Sequence, residues 1–155
     1  MPKLYLDSSV ILKRYITEPG TPTADIIFEK AEAGELTLAF SLWNIGEALG
    51  VLDERCRRGW LTEEEFKESI TFFADEVVKL MRLRTLEIIP IYTLILTEAW
   101  NIIINYHIYE ADAIQLTTCI TTQSDALISG DEKLIKIGRK TGIKSFHIIK
   151  DEQKI

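Results

Sequence analysis

Short apolar segments alternate along the chain with longer segments in which apolar residues recur every three or four positions. Short segments bounded by turn residues are typical of buried strands, and the longer recurrence is typical of helices. Five strands are predicted, at Lys3–Leu6, Leu36–Phe40, Leu86–Ile91, Ala126–Ser129 and Ser145–Ile149. Helices are predicted from Val10 onward, at Thr21–Glu32, from Ser41 to about Arg58, from Thr62 to about Leu83, at Thr93–Tyr106, at Glu110–Thr121 and from Asp131 to about Lys140. Strands separated by helices indicate an α/β fold, with a largely parallel sheet sandwiched between helices.

The helix that begins after Ser41 has apolar residues both on its predicted core face and around Glu47, on nearly the opposite face. Its predicted core stripe consists of Leu42, Ile45, Leu49 and Leu52. Glu47 lies nearly opposite this stripe, but its neighbours at helical spacing are Trp43 and Val51. The next helix begins with a capping-box sequence, Thr62 to Glu65, so the two helices form a hairpin. This hairpin has more apolar surface than one sheet face can cover, so we expect a homodimer and a groove for a protein partner to be built on it.

Composition and charge narrow the class of protein. The 155 residues are expected to form one domain, residues 1–155, in which 46% of residues are hydrophobic and 27% are charged. The net charge of -6 argues against non-specific nucleic-acid binding, but it permits a basic rim around an acidic pocket. Without an apolar segment that could cross a bilayer, or the features of a signal peptide, a cytoplasmic protein is expected. The two cysteines, Cys56 and Cys119, have no metal-binding spacing and are predicted to be free thiols.

Four acidic residues stand at the junctions between predicted elements. Asp7 and Asp131 follow the first and fourth strands, Glu47 lies in the second turn of the helix after the second strand, and Asp112 lies in the first turn of its helix. Each could be a helix cap or a surface residue when taken alone. The carboxyl ends of parallel strands meet at one edge, however, so the four side chains are expected to converge there.

Converging carboxylates repel one another unless a cation neutralises them. Hard oxygen ligands without a histidine or cysteine motif favour Mg²⁺ or Mn²⁺ over Zn²⁺. The two histidines, His107 and His147, are interpreted as packing or surface residues.

The four acids, with the residues around them, resemble the PIN domain family, and in particular its VapC-type toxins. The likeness covers essentially the whole chain and rests on LYLDSSV, SLWNIGEAL, YEADAIQL and LISGDEKL, in that order. Ser129 stands where the family often has Thr, and Gln115 begins a stretch, QLTT, where His and small residues are common. The resemblance implies a metal-dependent endoribonuclease that is usually a homodimer. It also implies an antitoxin partner whose peptide blocks the acidic pocket.

The roles of the site residues follow as expectations. Asp7 and Asp112 are predicted to bind Mg²⁺ or Mn²⁺ directly, and a water activated by the metal would attack the RNA phosphodiester. Glu47 and Asp131 are predicted to be further ligands, to hold metal-coordinated water or to carry the proton. Ser9 or Ser129 would orient a water or a carboxylate.

Basic residues that could hold the RNA backbone form three clusters in the sequence. The alternative interpretation of each cluster is an ordinary solvent-exposed surface. They are Arg55, Arg57 and Arg58; Lys79, Arg82 and Arg84; and Lys133, Lys136, Arg139, Lys140 and Lys144.

Two other functions stay open. One is the hydrolysis of phosphate monoesters through an aspartyl-phosphate. That chemistry requires a nucleophilic Asp and a second acid two residues later, and the residue two positions after Asp7 is Ser9. A catalytically silent PIN-like domain could serve as a metal-binding or interaction scaffold.

Overall fold

A parallel sheet forms the middle layer of the protein. The computed structural model describes the whole chain, Met1–Ile155. Its strands are β1 (Lys3–Leu6), β2 (Thr37–Ser41), β3 (Leu86–Ile89), β4 (Ala126–Ser129) and β5 (Ser145–His147). They lie in the order β3-β2-β1-β4-β5, and every adjacent pair is parallel. The predicted α/β fold with a five-stranded parallel sheet is therefore confirmed.

Seven helices connect and cover these strands. They are α1 (Ser8–Tyr15), α2 (Thr21–Glu32), α3 (Leu42–Arg57), α4 (Glu63–Arg82), α5 (Thr93–Tyr106), α6 (Glu110–Thr121) and α7 (Glu132–Lys140), and a short 3₁₀ turn follows at Glu152–Lys154. Side chains cap α3 and α4 at their N-termini. Ser41 and Thr62 accept hydrogen bonds from the backbone N–H groups of Asn44 and Glu65, so both helices begin where a capping residue satisfies a free donor.

The sheet separates two apolar layers. Successive strand residues point to opposite faces, so Leu6 and Phe40 pack on the side of α1 to α4, whereas Tyr5 and Ala39 pack on the side of α5 to α7. Both sheet faces are therefore covered by helices, as a parallel sheet requires.

The predicted core stripe of α3 is wrong at two positions. Leu42 is 52% exposed and Leu49 is 37% exposed, while Asn44, Ala48 and Leu52 are buried. The helix turns this face to the sheet because the Asn44 amide bonds to its own N-cap and to buried polar groups beneath it. Apolar periodicity alone does not reveal a buried amide.

The third strand also differs from its prediction. It is shorter, because it ends at Ile89 rather than at Ile91. It lies at the edge of the sheet, next to β2. Glu87 on this strand is exposed and pairs with Lys3, as an edge position permits. The fifth strand likewise ends early, at His147.

A buried ion cluster joins α1 to the α3–α4 hairpin. The Arg14 guanidinium donates to Glu76 on α4, with Nη2 2.7 Å from Oε1, and to Asp25 on α2. The Tyr15 hydroxyl donates to the other Glu76 oxygen at 2.7 Å. The hairpin is thereby fixed against the helix that follows β1.

Two further observations bear on the predicted class. Cys56 and Cys119 are free thiols. None of the helices combines the length and the apolar character that crossing a membrane requires.

Candidate active site

Asp7 is the residue around which the site is built. It directly follows β1 and occupies the N-cap position of α1, but its side chain makes no capping hydrogen bond. Its carboxylate accepts hydroxyl hydrogen bonds from Ser8 at 3.1 Å on Oδ1, and from Ser9 and Ser129 at 2.7 Å each on Oδ2. With only 5% of its surface exposed, Asp7 is held by three serines rather than acting as a helix cap.

The serines also link α1 to the end of β4. The Ser9 hydroxyl accepts a hydrogen bond from the Gly130 backbone N–H at 3.0 Å, and the Ser129 hydroxyl accepts one from the Asp131 N–H at 2.9 Å. Each of these two serines thus donates a hydrogen bond to Asp7 and accepts one from a backbone N–H group. Gly130 suits this contact because a Cβ there would lie 3.3 Å from the Ser9 hydroxyl.

Ser8 joins Asp7 to Glu47. The same hydroxyl lies 3.1 Å from Asp7 Oδ1 and 3.0 Å from Glu47 Oε2. A hydroxyl has one proton, so it serves one carboxylate at a time, and the second carboxylate faces its oxygen. Sequence reasoning missed Ser8. The signal was the unbroken polar triplet Asp7-Ser8-Ser9 at the start of an otherwise apolar helix.

Glu47 and Asp112 are half-buried and respond to the other acids. Burial raises the pKa of Glu47, and the charges of Asp7 and Asp112 raise it further. Burial also raises the pKa of Asp112, followed by the charges of Asp131 and Asp7, while Lys133 opposes the shift. The four predicted acids therefore lie close enough for their charges to interact.

Asp131 has a structural contact as well. Its Oδ1 accepts hydrogen bonds from the backbone N–H groups of Lys133 at 2.8 Å and Leu134 at 3.2 Å, so it caps α7. Its Oδ2 makes no hydrogen bond. Capping thus uses one oxygen of this carboxylate and leaves the second for a ligand.

The donor set fits a hard divalent cation. It consists of carboxylates and hydroxyls, which are the oxygen ligands that Mg²⁺ and Mn²⁺ prefer. No three His, Cys, Asp or Glu side chains approach closely enough to form a ready-made cage. Mg²⁺ keeps several waters and is usually held by one or two carboxylates together with substrate phosphates, so it does not need such a cage.

Five of the eleven basic residues predicted to hold RNA are already paired with acids. Arg55 bonds to Glu18, and Lys79 bonds to Glu32. Arg57, Arg58 and Arg139 likewise pair with Asp53, Glu54 and Asp151. Lys133 differs, because it is exposed at the start of α7 and its charge acts on Asp112.

The family comparison decides the identity of the fold. The sequence profile of the PIN domain matches residues 4–140. The chain belongs to the PIN domain family. The resemblance to this family is thereby confirmed, and the matched range includes the four predicted site acids, from Asp7 to Asp131.

Solved PIN structures share the whole architecture at low sequence identity. The VapBC2 complex of Rickettsia felis, bound to a promoter DNA fragment, contains a chain with a TM-score of 0.66 and 14% identity; the match covers 94% of this chain and 98% of that chain. FitAcB of Neisseria gonorrhoeae gives a TM-score of 0.65 at 13% identity, covering 94% and 97%.

A third similar structure is VapC20 of Mycobacterium tuberculosis, a toxin that cleaves the sarcin–ricin loop. Its TM-score is 0.62 at 13% identity, and the match covers 90% of this chain and 95% of that chain. At these identities the likeness establishes the fold. No curated protein matches the chain in sequence.

The raised pKa values predict how the metal-free protein responds to pH. In the folded state Glu47 and Asp112 hold their protons to higher pH than in the unfolded state. Their contribution to stability is therefore complete below the ordinary carboxyl pKa and is lost as the pH rises through the raised values. Glu47→Gln and Asp112→Asn should leave the unfolding free energy at neutral pH unchanged or raise it.

Urea denaturation from neutral pH down to the ordinary carboxyl pKa measures this effect. The gain in stability on acidification should be smaller in both variants than in the wild type. Asp75→Asn, which changes an exposed carboxylate on α4, is the control and should follow the wild-type curve. Clear destabilisation of both site variants at neutral pH would contradict the repulsion.

Proposed function

We propose that this PIN protein is a Mg²⁺- or Mn²⁺-dependent endoribonuclease and the toxin of a toxin–antitoxin pair. The observation that carries the proposal is the group of four electrostatically coupled acids at the carboxyl edge of the sheet, with Asp7 held by three serines. Family membership supports it, as does the fold shared with VapC20, itself a toxin that cleaves RNA. The same acids would also hold a cation in a catalytically silent scaffold.

Each acid has a role that its surroundings suit. Asp7 and Asp112 would bind the ion directly, and Glu47 and Asp131 would complete its shell directly or through water. When bound, the ion supplies positive charge that stabilises the reacting phosphate and makes water more acidic. Glu47 is half-buried beside Asp7 and shares the Ser8 hydroxyl with it, so Glu47 is also assigned the proton from the attacking water.

The RNA backbone is proposed to approach along α7. Lys133 lies at the start of this helix, beside Asp131 and within electrostatic reach of Asp112. Lysine binds phosphate as a point charge and contributes no sequence reading. Recognition in this region would therefore depend on the backbone and shape of the RNA.

The first test is replacement of the two direct ligands. Asp7→Asn and Asp112→Asn should abolish cleavage of RNA by the Mg²⁺- or Mn²⁺-loaded protein, because the amide keeps the shape and removes the charge that holds the ion. A cleavage assay with an EDTA control measures the loss, and circular dichroism checks the fold. Asp75→Asn should cleave at the wild-type rate.

The outcomes of this assay separate the two readings of the site. Cleavage at the wild-type rate by either variant would exclude that residue as a metal ligand. Mn²⁺ binding by the wild type without any RNA cleavage would instead favour the catalytically silent scaffold.

An antitoxin peptide is proposed to lie on the α3–α4 hairpin. A cleft of about 480 Å³ is lined by Leu42, Trp43, Gly46, Glu47 and Ile91, so an apolar groove runs directly to a site carboxylate. A separate cleft, of about 510 Å³, lies at the turn of the hairpin and is lined in part by Trp60, which is 66% exposed. Toxin–antitoxin complexes occur among the structures with this fold, which supports a partner of this kind.

The inhibitor is expected to insert an Arg into the acidic pocket, because a planar guanidinium can bridge two carboxylates. Glu47→Gln should then weaken catalysis and antitoxin affinity together, whereas Trp60→Ala in the groove should weaken affinity alone. Titration of inhibition and calorimetry measure the two effects. Undiminished inhibition by an Arg→Ala antitoxin at high Mg²⁺ would show that the partner merely covers the pocket.

A homodimer is proposed through the opposite side of the molecule. Helix α5 leaves Leu94 61% exposed, Trp100 54% and Ile104 69%, and it packs on the sheet face that the hairpin does not cover. Exposed apolar surface of this extent marks an interface. The hairpin, which was also predicted to carry the dimer, remains available for the antitoxin.

Light scattering at micromolar concentration tests the dimer with two matched variants. Trp100→Glu should shift the protein to a monomer, because it buries a charge in the proposed interface. Trp60→Glu changes an equally exposed tryptophan on the hairpin and should leave the dimer intact. A wild-type monomer would remove the proposal, and dissociation by Trp60→Glu alone would move the interface to the hairpin.

A further inference from the structure

Three buried polar side chains lie beneath the acidic site, between the sheet and two helices. Tyr5 on β1 and Asn44 on α3 are fully buried, and Gln115 on α6 is 2% exposed. They sit at the border of an apolar layer. Burying an unpaired amide there would lower the stability of the fold, whereas an apolar side chain would carry no such cost.

The hydrogen bonds among these groups have one consistent direction. The Tyr5 hydroxyl and the backbone N–H of Ser41 both donate to Asn44 Oδ1, at 2.6 Å and 2.9 Å. A backbone N–H can only donate, so Asn44 must turn its oxygen towards Ser41 and its NH₂ group away. Asn44 Nδ2 therefore donates to Gln115 Oε1, at 2.9 Å.

Each member of this chain lies close in sequence to a site acid. Tyr5 precedes Asp7 on the same strand end, Asn44 precedes Glu47 on α3, and Gln115 follows Asp112 on α6. On both helices the amide and the acid are three residues apart, so they lie on neighbouring positions of one helix face. Helix α3 and helix α6 are joined by this one side-chain hydrogen bond, one helical turn away from the site acid on each helix.

We propose that the Asn44–Gln115 hydrogen bond sets the spacing between Glu47 and Asp112 for a divalent cation, which makes Asn44 and Gln115 positioning residues. The proposal rests on the metal-dependent function argued above. A directional bond of 2.9 Å fixes the separation of two helices, whereas an apolar pair would let them slide. Because a helix is rigid over one turn, a change in the amide spacing moves the carboxylates above it.

Mn²⁺ binding to the metal-free protein, measured by calorimetry or by the resonance signal of free Mn²⁺, tests the inference without relying on activity. Gln115→Met keeps the length of the side chain and removes the acceptor. Gln115→Asn keeps the amide and shortens its reach, and it decides the matter if the Met variant does not fold. Both should bind Mn²⁺ about 10-fold more weakly or worse, as is typical when a group that orients metal ligands is lost.

A packing change on the same helix separates positioning from general loss of stability. Leu116 is fully buried on α6 and its side chain takes no part in the hydrogen bonds of this chain. Leu116→Ala should lower the melting temperature at least as much as Gln115→Met, yet bind Mn²⁺ within about twofold of the wild type. Ile114→Val is the milder alternative if the alanine variant does not fold.

The outcomes distinguish this inference from the proposed function. Wild-type Mn²⁺ affinity in the folded Gln115 variants would overturn it and leave the nuclease proposal standing. An equal loss of affinity in the packing controls would also overturn it, because the loss would then follow stability. A wild-type protein that binds no Mn²⁺ would overturn both.

Discussion

Like charges held together at the carboxyl edge of the parallel sheet are the constraint on which the rest of the structure depends. Because all five strands point the same way, the acids that follow them meet at one edge. Burial and mutual repulsion raise the pKa of Glu47 and Asp112. Asp7, the most buried of the four, is instead surrounded by serine hydroxyls. The fold thus supports a concentration of negative charge that would otherwise push its elements apart.

Interactions away from the carboxyl edge of the sheet stabilise the fold against that repulsion. Two apolar layers pack against the two faces of the sheet. Arg14 and Glu76 join α1 to α4 with side chains that are 13% and 2% exposed, and losing one member of such a buried pair typically costs about 3–5 kcal/mol. The hydrogen bonds of Tyr5, Asn44 and Gln115 supply a second, directional connection, between β1, α3 and α6. These interactions hold together the elements that carry the like charges.

The two sides of the sheet offer different surfaces to partners. The hairpin of α3 and α4 carries the exposed Trp60 and, separately, the cleft beside Glu47, so a peptide bound in that cleft would reach the acids. Helix α5 exposes apolar side chains on the other side of the sheet. This separation would allow the proposed inhibition and the proposed self-association to use different surfaces.

The sequence alone was enough to predict the order of the elements and the bounds of α2, α5, α6, β1 and β4. It also identified four acids near the junctions between elements as candidate site residues. These features depend on local periodicity, caps and turns, which neighbouring residues decide. Only the tertiary structure decided that Ser8 faces both Asp7 and Glu47 and that the Asp7 side chain does not cap its helix. It also turned Asn44 inward and left Leu42 and Leu49 exposed. Such choices depend on hydrogen-bond partners far apart in the chain, such as Gln115 for Asn44, and no local pattern encodes where those partners meet.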